Sequence, residues 1–263
     1  MISKRTLIPI LVLIGIITLV TFLPCLWNGF TNWDDQELVT GNPRLGSLSP
    51  ANILNIFTRP HPGPYIPLTI LSYAIEYRFV RLKPFVYHQT NVLLHAANVL
   101  MVFLILYALF GNIYAAAAAA LFFGLHPLRV ESVAWITERK DVLCGFFYFG
   151  AVLAYLKFQA SRRKALYIAV LALYIAANLS KPMAITLPAA LLLFDYLREG
   201  RITRRALKEK IPYLVIAVPF IIVNYFTQIL KTDTPAFNLL RSILIASHNV
   251  FLYLYKTLFP FKL

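Results

Sequence analysis

Charged residues are scarce in this chain, and acidic residues are the scarcest. Of the 263 residues 14% are charged, with 11 acidic against 25 basic, while 59% are hydrophobic and the mean hydropathy is +0.69. A soluble domain of this composition would lack the polar residues that cover a surface in water, so the composition indicates a membrane protein. The only two cysteines, Cys25 and Cys144, fall at or inside apolar segments, where a thiol behaves as a small hydrophobic group. They indicate nothing about the redox compartment.

The chain also lacks the patterns of several other protein classes. It has no internal repeat of roughly 20 to 50 residues and no soluble domain. The net charge of +14 would suit a nucleic-acid-binding protein, but the basic residues are dispersed between apolar segments, so we predict no nucleic-acid partner. Two groups of side chains could ligate a metal: His126 with Glu131 and Asp141, and His61 with Asp34. Neither contains a close pair such as His-x-x-x-His, so we expect no metal and no other cofactor.

Long apolar segments dominate the sequence instead. A helix needs about 20 apolar residues to cross a bilayer, and continuous apolar runs favour helices, because barrel strands would alternate. We therefore predict an all-α polytopic membrane protein with about eight spans, formed by a single module over residues 1–263. The predicted spans are 7–27, 90–110, 113–126, 141–157, 165–179, 183–197, 211–230 and 240–259.

The distribution of basic residues predicts the orientation. Lys4 and Arg5 precede the first apolar segment and no cleavage site of small residues follows it, so we interpret it as an uncleaved span with a cytoplasmic N-terminus. Alternation of the spans then places the densest basic clusters, 162–164 and 198–210, in cytoplasmic loops. Both placements agree with the excess of basic residues that cytoplasmic loops carry.

The first extracytoplasmic loop, residues 28–87, carries the first candidate site. It contains an amphipathic stretch, 68–82, that we expect to form a helix along the membrane surface. Asp34 and Asp35 follow Trp33, whose ring favours the membrane interface. Neighbouring carboxylates repel each other and nearby cations oppose that effect, so one ionised oxygen could act as a base. A solvated acidic loop explains the pair equally well.

A second cluster lies between two spans, in residues 126–141, which contain seven titratable side chains. If this segment is one helix, Glu131 and Glu138 lie two turns apart on one face, and Glu138 and Asp141 one turn apart. Lys181 lies on the same side of the membrane. Charge at this depth is costly unless it is paired or used, and an anionic ligand would offset the cost. A salt-bridged interfacial helix and a lysine that reaches outward to water are the alternatives.

The second predicted span carries a polar stripe. Its members recur every three or four residues and so lie on one helix face, where we predict hydrogen bonds to other helices. They are His88, Asn91, His95 and Asn98.

Five short stretches resemble a known family. They are 32–35 with 42–43, 67–69, 88–96, 126–143 and 180–181. Together they resemble the transmembrane and tetratricopeptide-repeat O-mannosyltransferases, and the chain is similar to bacterial relatives of that family within the GT-C superfamily.

The resemblance implies a GT-C-type helix bundle in a bacterial inner membrane. It implies an enzyme that transfers a sugar, typically mannose, with inversion from a polyprenyl-phosphate carrier to a hydroxyl of a protein or glycan on the extracytoplasmic side. Asp34 and Asp35 match the family's acidic pair, and we expect Asp34 to be the base. Cationic side chains would stabilise the leaving phosphate without a metal: Arg129, Arg139, Lys140 and Lys181. Supporting roles are expected for His126, Glu131, Glu138, Asp141 and His88.

The chain departs from the family pattern in several places. Arg129 stands where relatives often carry histidine, and Pro182 follows Lys181 where animal relatives tend to have an acid. The repeats are absent and relatives continue beyond 259–263, so we expect a partial protein whose repeat part or partner chain is missing. Two other interpretations stay open: a transporter or flippase that binds a lipid-linked sugar, and a non-catalytic membrane scaffold.

Overall fold

The computed structural model describes residues 4–59, 63–229 and 239–260, and all regular structure within them is helical. The α-helices are α1 (Lys4–Phe22), α2 (Pro50–Thr58), α3 (Pro67–Val80), α4 (Pro84–Phe110), α5 (Ile113–Leu125), α6 (Arg129–Ala134), α7 (Arg139–Ser161), α8 (Lys164–Ser180), α9 (Leu187–Glu199), α10 (Arg204–Ile229) and α11 (Leu239–Leu258). Short 3-10 helices form at Leu23–Trp27, Pro43–Gly46, Ile136–Glu138 and Pro182–Thr186, and a π-helical turn at Gln36–Thr40. The predicted all-α class is confirmed for the described residues.

Proline and glycine explain several helix ends. α2, α3 and α4 each begin with a proline, which fits the first helical turn because an N–H there would have no partner within the helix. α4 and α9 each end at a glycine with a left-handed backbone, Gly111 at φ 68° and Gly200 at φ 69°. Glycine adopts that conformation without the steric cost that a side chain would bring.

Three helical segments of the described residues are long and apolar enough to cross a membrane. They are Arg5–Trp27, Pro84–Phe110 and Ile136–Ser161, which contain the first, second and fourth predicted spans. Two further predicted spans lie in the shorter apolar helices α5 and α8. The remaining three lie mostly in α9, α10 and α11, which do not meet the same criteria of length and hydropathy. The chain is thus a helical membrane protein, and the number of eight spans stays a prediction.

The centre of the fold is α7, which packs against α8 and α4. The predicted polar stripe of α4 makes the expected hydrogen bonds to its neighbours. Asn91 Nδ2 donates to the Trp135 carbonyl at 3.1 Å, His95 Nε2 lies 2.9 Å from the Gly124 carbonyl, and Asn98 Nδ2 donates to the Val142 carbonyl at 2.8 Å. The prediction is therefore confirmed for these three residues, whereas the ring nitrogens of His88 make no hydrogen bond to another helix among the described residues.

The first long loop is folded. Its apolar side chains form a small core with α3 and with the segment before α7, in which Val39, Leu45, Ile56 and Tyr73 are buried. The stretch predicted as an interfacial helix forms α3, and its buried face includes Ile70 and Tyr73. This core fixes the loop against the start of α7, so the acidic pair is held in place by packing.

Residues 126–141 do not form one helix, so that interpretation is wrong. α6 ends at Ala134, and Trp135 has an extended backbone with φ −89° and ψ 124° before the 3-10 helix Ile136–Glu138 begins. Glu131 and Glu138 therefore lie on different elements. The break turns the chain so that Glu138 and the first turn of α7 approach the loop that carries Asp34.

Candidate functional site

Asp35 is fully buried and serves as an anchor for the first loop. Its Oδ2 accepts hydrogen bonds from the backbone N–H of Thr31 at 2.8 Å and from the Thr31 hydroxyl at 3.1 Å. Its Oδ1 accepts one from the backbone N–H of Thr137 at 3.1 Å. Both carboxylate oxygens are thus engaged, and the bond to Thr137 ties the loop to the segment just before α7.

Asp34 faces the other way and remains accessible. Its side chain is 43% exposed, and Oδ2 lies 3.5 Å from Nζ of Lys140. No hydrogen bond holds its carboxylate within the described residues. The two neighbouring carboxylates are therefore different in kind, because one is locked in the core and the other is open to a ligand.

A chain of ion pairs extends from Asp34 into the site. Lys140 Nζ contacts Glu138 Oε1 at 2.7 Å, and the second oxygen of Glu138 lies 3.7 Å from Lys181 Nζ. Lys181 also contacts Asp141 directly. We call these five residues the outer cluster: Asp34, Glu138, Lys140, Asp141 and Lys181.

The outer cluster is built at the first turn of α7, where carboxylates are favoured by the positive end of the helix dipole. Glu138 precedes the helix and Asp141 lies in its first turn. Ser132 of α6 donates a hydrogen bond to Asp141 Oδ2 at 3.0 Å. Lys181 reaches the cluster from the extended residue that follows α8.

The charge environment of Lys181 follows from this geometry. Burial alone would lower the pKa of Lys181, but the hydrogen bond and charge of Asp141, together with the charge of Glu138, outweigh it and raise the pKa above its ordinary value. Lys181 therefore carries a full positive charge throughout the neutral range.

Arg139, one of the four cations expected to hold the donor phosphate, is placed elsewhere. Its guanidinium is fully buried and donates to Glu76 at 2.6 Å, to Asn91 Oδ1 at 2.8 Å and to the Tyr87 carbonyl at 2.8 Å. It also lies over the ring of Tyr73, 4.7 Å from the centroid. Its donors are thus used inside the protein, and in this structure it does not join the outer cluster.

Glu76 is a site residue that the sequence interpretation missed. It pairs with Arg139 and also accepts a 2.5 Å hydrogen bond from the Thr90 hydroxyl. The available signal was the single acid of the amphipathic stretch 68–82, where a buried carboxylate would be costly without a partner.

The remaining candidates lie around the cluster in different ways. Desolvation lowers the pKa of Arg129, and the charge of Asp141 opposes that shift only in part. Its guanidinium lies over the Phe123 ring, and its buried Nε has no hydrogen-bond partner among the described residues. His126 accepts a hydrogen bond from the Leu128 N–H at Nδ1, and its Nε2 lies 3.1 Å from the Thr257 carbonyl of α11.

A pocket of about 390 Å³ is lined in part by Trp33, the residue before Asp34. Its lining comprises Thr31, Asn32, Trp33, Glu131 and Trp135. The two tryptophan rings meet edge to face with centroids 5.9 Å apart, and Trp33 is 73% exposed. Apolar rings and polar groups converge here next to an accessible carboxylate, which is the usual composition of a small-ligand site.

No group of three or more His, Cys, Asp or Glu side chains is placed to hold a metal within the described residues. Of the two ligand sets considered from the sequence, His61 lies outside the described residues. The absence of a metal and of other cofactors stays a prediction.

A second charged group, at the other end of α7, was not predicted. Lys210, assigned to a cytoplasmic loop from the sequence, is buried and contacts Asp195 Oδ2 at 2.6 Å and the Tyr155 hydroxyl at 2.5 Å. Gln159 also donates to Asp195. We call Asp195 and Lys210 the inner pair, and Tyr155 donates its hydroxyl to the carboxylate of that pair.

The sequence profile of the dolichyl-phosphate-mannose-protein mannosyltransferase family matches residues 84–226, more than half of the chain. The chain belongs to this family. The matched range of this mannosyltransferase family includes Glu138, Lys140, Asp141 and Lys181, whereas Asp34 and Asp35 lie before it.

Curated relatives agree with the family assignment. The chain is 31% identical over 159 residues to protein O-mannosyl-transferase TMTC3 of Homo sapiens, covering 56% of this chain and 16% of that protein. It is 31% identical over 175 residues to Tmtc1 of Drosophila melanogaster, covering 64% and 20%. Protein O-mannosyl-transferase F38B6.6 of Caenorhabditis elegans is 26% identical over 244 residues, covering 86% and 34%. The matches thus span about a third or less of these relatives. No solved structure gives a significant match.

Proposed function

We propose that this chain forms the sugar-transferring part of a membrane glycosyltransferase. The donor is mannose on a polyprenyl-phosphate carrier, the acceptor is a hydroxyl of a protein, and the reaction takes place on the extracytoplasmic side. The names of the relatives support mannosyl transfer to protein. The donor, the side and the stereochemistry are proposed from the family resemblance, and the carboxylate and cations of the outer cluster suit that reaction.

The observation that carries the proposal is the position of the accessible Asp34 carboxylate beside Lys140 of the first turn of α7. Asp34 lies 3.5 Å from Lys140, and Glu138 links Lys140 to Lys181. A base and two cations that are more than 100 residues from it along the chain are therefore joined in one chain of ion pairs.

In the proposed reaction Asp34 removes the proton from the acceptor hydroxyl as its oxygen attacks the anomeric carbon. A new carbon–oxygen bond forms on one face of the sugar while the bond to the carrier phosphate breaks on the other, which inverts the configuration. Lys140 and Lys181 stabilise the negative charge on the departing polyprenyl phosphate. The leaving group is already a stable anion, so no acid has to protonate it.

Both lysines are paired with carboxylates in this structure, which sets a condition on donor binding. The donor phosphate has to replace Glu138 or Asp141 as the partner of at least one lysine. Partial exposure makes the exchange feasible, because Lys181 and Asp141 are 27% and 29% exposed. When no donor is bound, Glu138 and Asp141 hold the two lysines in position through these ion pairs.

The contacts of the two carboxylates assign different roles to them: Asp34 is the base, and Asp35 is the anchor of the loop. The carboxylate of Asp35 accepts three hydrogen bonds and is fully buried, so no oxygen is free to receive a proton from an acceptor. The Asp34 carboxylate is 43% exposed, has Lys140 as its partner in an ion pair, and directly follows Trp33, which lines the pocket together with Trp135. An acceptor in that pocket would present its hydroxyl to Asp34.

The test compares Asp34→Asn with Asp35→Asn in the full chain, purified in detergent or reconstituted in vesicles. Mannose transfer from a radiolabelled polyprenyl-phosphate donor should fall about 10²- to 10⁴-fold in Asp34→Asn while thermal stability stays near wild type. Asp35→Asn should lower stability, because the anchor of the loop is weakened. Glu37→Gln, which removes another acid of the same loop, is the matched control and should retain transfer.

Loss of transfer together with retained donor binding would distinguish this enzyme from a transporter, which needs no base. Asp34→Asn should still bind the polyprenyl-phosphate sugar with nearly unchanged affinity, since the phosphate contacts lie on the lysines. Unimpaired transfer in Asp34→Asn would show that Asp34 is not the base and would refute the proposed mechanism.

A further inference from the structure

A cavity of about 620 Å³ lies at the opposite end of α7 from the outer cluster, between the end of α7 and the starts of α8 and α10. Its charged lining residues are Arg162, Lys164, Arg204, Arg205, Lys208 and Glu209. Five positive charges thus surround one negative charge. Phe158 and Tyr167 supply aromatic walls, and we call this cavity the basic pocket.

The single acid of the basic pocket is shared by two of the arginines. Glu209 Oε1 accepts from Arg162 at 3.0 Å and from Arg205 at 2.9 Å. Lys164, Arg204 and Lys208 form no ion pair within the described residues. Three unpaired cations around one concavity repel each other, and an anion with several oxygens would relieve that repulsion.

The depth of the basic pocket indicates a lipid as the source of that anion. About 22 residues of helix separate Lys140 from Arg162, a rise of roughly 33 Å, which is close to the thickness of a bilayer's hydrocarbon core. If the outer cluster lies at one membrane interface, the basic pocket lies at the other. Large apolar side chains close in sequence to the lining residues are half or more exposed, namely Ile168 on α8 and Leu207 and Ile211 on α10.

We propose that the basic pocket binds the phosphate headgroup of an anionic membrane phospholipid. The unpaired cations contact the phosphate, and the apolar side chains of α8 and α10 contact the acyl chains. An excess of basic residues in a loop sets membrane orientation without a cavity, whereas here the charges line a concave, aromatic-walled space between three helices. Basic pockets between transmembrane helices are suited to such headgroups.

The test measures binding of phosphatidylglycerol and of phosphatidylcholine with identical acyl chains to the full chain in detergent, by native mass spectrometry. Phosphatidylglycerol should bind about tenfold more tightly. Arg204→Gln with Lys208→Gln should remove that preference. Lys157→Gln with Arg201→Gln is the matched control, because it removes one lysine and one arginine at the same end of the fold but outside the pocket lining, and it should keep the preference.

A variant that is expected to bind the lipid more tightly controls for misfolding, because a misfolded protein would lose affinity. Glu209→Gln removes the only acid and frees two arginines, so it should tighten phosphatidylglycerol binding severalfold. Equal binding of both lipids, or an equal loss in the two double variants, would overturn the proposal. If soluble glycerol phosphate displaced all phosphatidylglycerol at the same concentration, the proposal that the anion belongs to a lipid would be overturned. Mannose transfer is not the readout, so the outcome is independent of the proposed enzyme activity.

Discussion

The two ends of α7 carry charged groups of the same types in opposite environments. In the inner pair, Lys210 and Asp195 are 2% and 3% exposed, and Tyr155 donates its hydroxyl to the same carboxylate. In the outer cluster every member keeps some exposure, from 10% at Lys140 to 43% at Asp34. The inner contacts are closed to water and stabilise the bundle, whereas the partial exposure of the outer contacts allows the exchange of partners that the proposed reaction requires.

The largest effect should come from breaking the inner pair. Lys210→Met leaves Asp195 as an unpaired buried carboxylate, and loss of one partner of such a pair costs about 3–5 kcal/mol. We expect the free energy of unfolding in detergent to fall by that amount. Lys157→Met on the exposed face of α7 is the control and should stay within about 0.5 kcal/mol of wild type.

The double variant Lys210→Met with Asp195→Leu tests whether the loss of stability comes from the unpaired carboxylate. It replaces both charges by apolar groups, which is often neutral or stabilising, so it should recover most of the stability lost in Lys210→Met. If Lys210→Met alone were as stable as wild type, the proposed contrast between the two ends of α7 would fail.

A smaller loss, expressed in rate instead of stability, should follow from the outer cluster. Lys140→Gln or Lys181→Gln should each slow mannose transfer about 10²-fold, because each removes a cation that faces the leaving phosphate. The stability of Lys181→Gln should change by no more than about 1 kcal/mol, because its ion pair with Asp141 is partly exposed. Lys83→Gln, an exposed lysine at the start of α4, is the control. A rate loss matched by an equal loss of folded protein would assign these lysines to structure alone.

The smallest effect concerns pH. The raised pKa of Lys181 means that its ion pair with Asp141 is fully present below the ordinary lysine pKa of 10.5 and is lost as pH rises through the raised value. The stability difference between wild type and Lys181→Gln should therefore be constant between about pH 7 and pH 9 and shrink only in stronger alkali. Thermal unfolding across that range measures it, and a change near neutral pH would contradict the assignment.

Much of the site could be predicted from the sequence, because the signals were local. Asp34, Lys140 and Lys181 were chosen as charges at the ends of apolar segments, and the structure brings them together. The position of Arg139 could not be predicted, since Lys140 follows it directly and nothing in the sequence shows which of the two turns inward. Its partner Glu76 lies 63 residues away on another helix.

The inner pair was missed for a related reason. Lys210 follows a run of basic residues that suits a cytoplasmic loop, and its burial depends on α10 beginning at Arg204, before the apolar segment starts. The break at Trp135 was missed because residues 129–141 carry neither proline nor glycine to mark the end of α6. In both places the packing of distant elements decided the local structure.

The start of α7 places two consecutive cations in unlike surroundings. Successive residues of a helix point about 100° apart, which directs Arg139 into the core and Lys140 toward Asp34. One residue added to or deleted from the 3-10 turn before α7 would shift that pattern by about 100°, so that Arg139 and Lys140 would no longer both keep their directions. The length of the connection between Trp135 and α7 is therefore constrained as tightly as the identity of its side chains, and insertions or deletions there should be far less tolerated than substitutions.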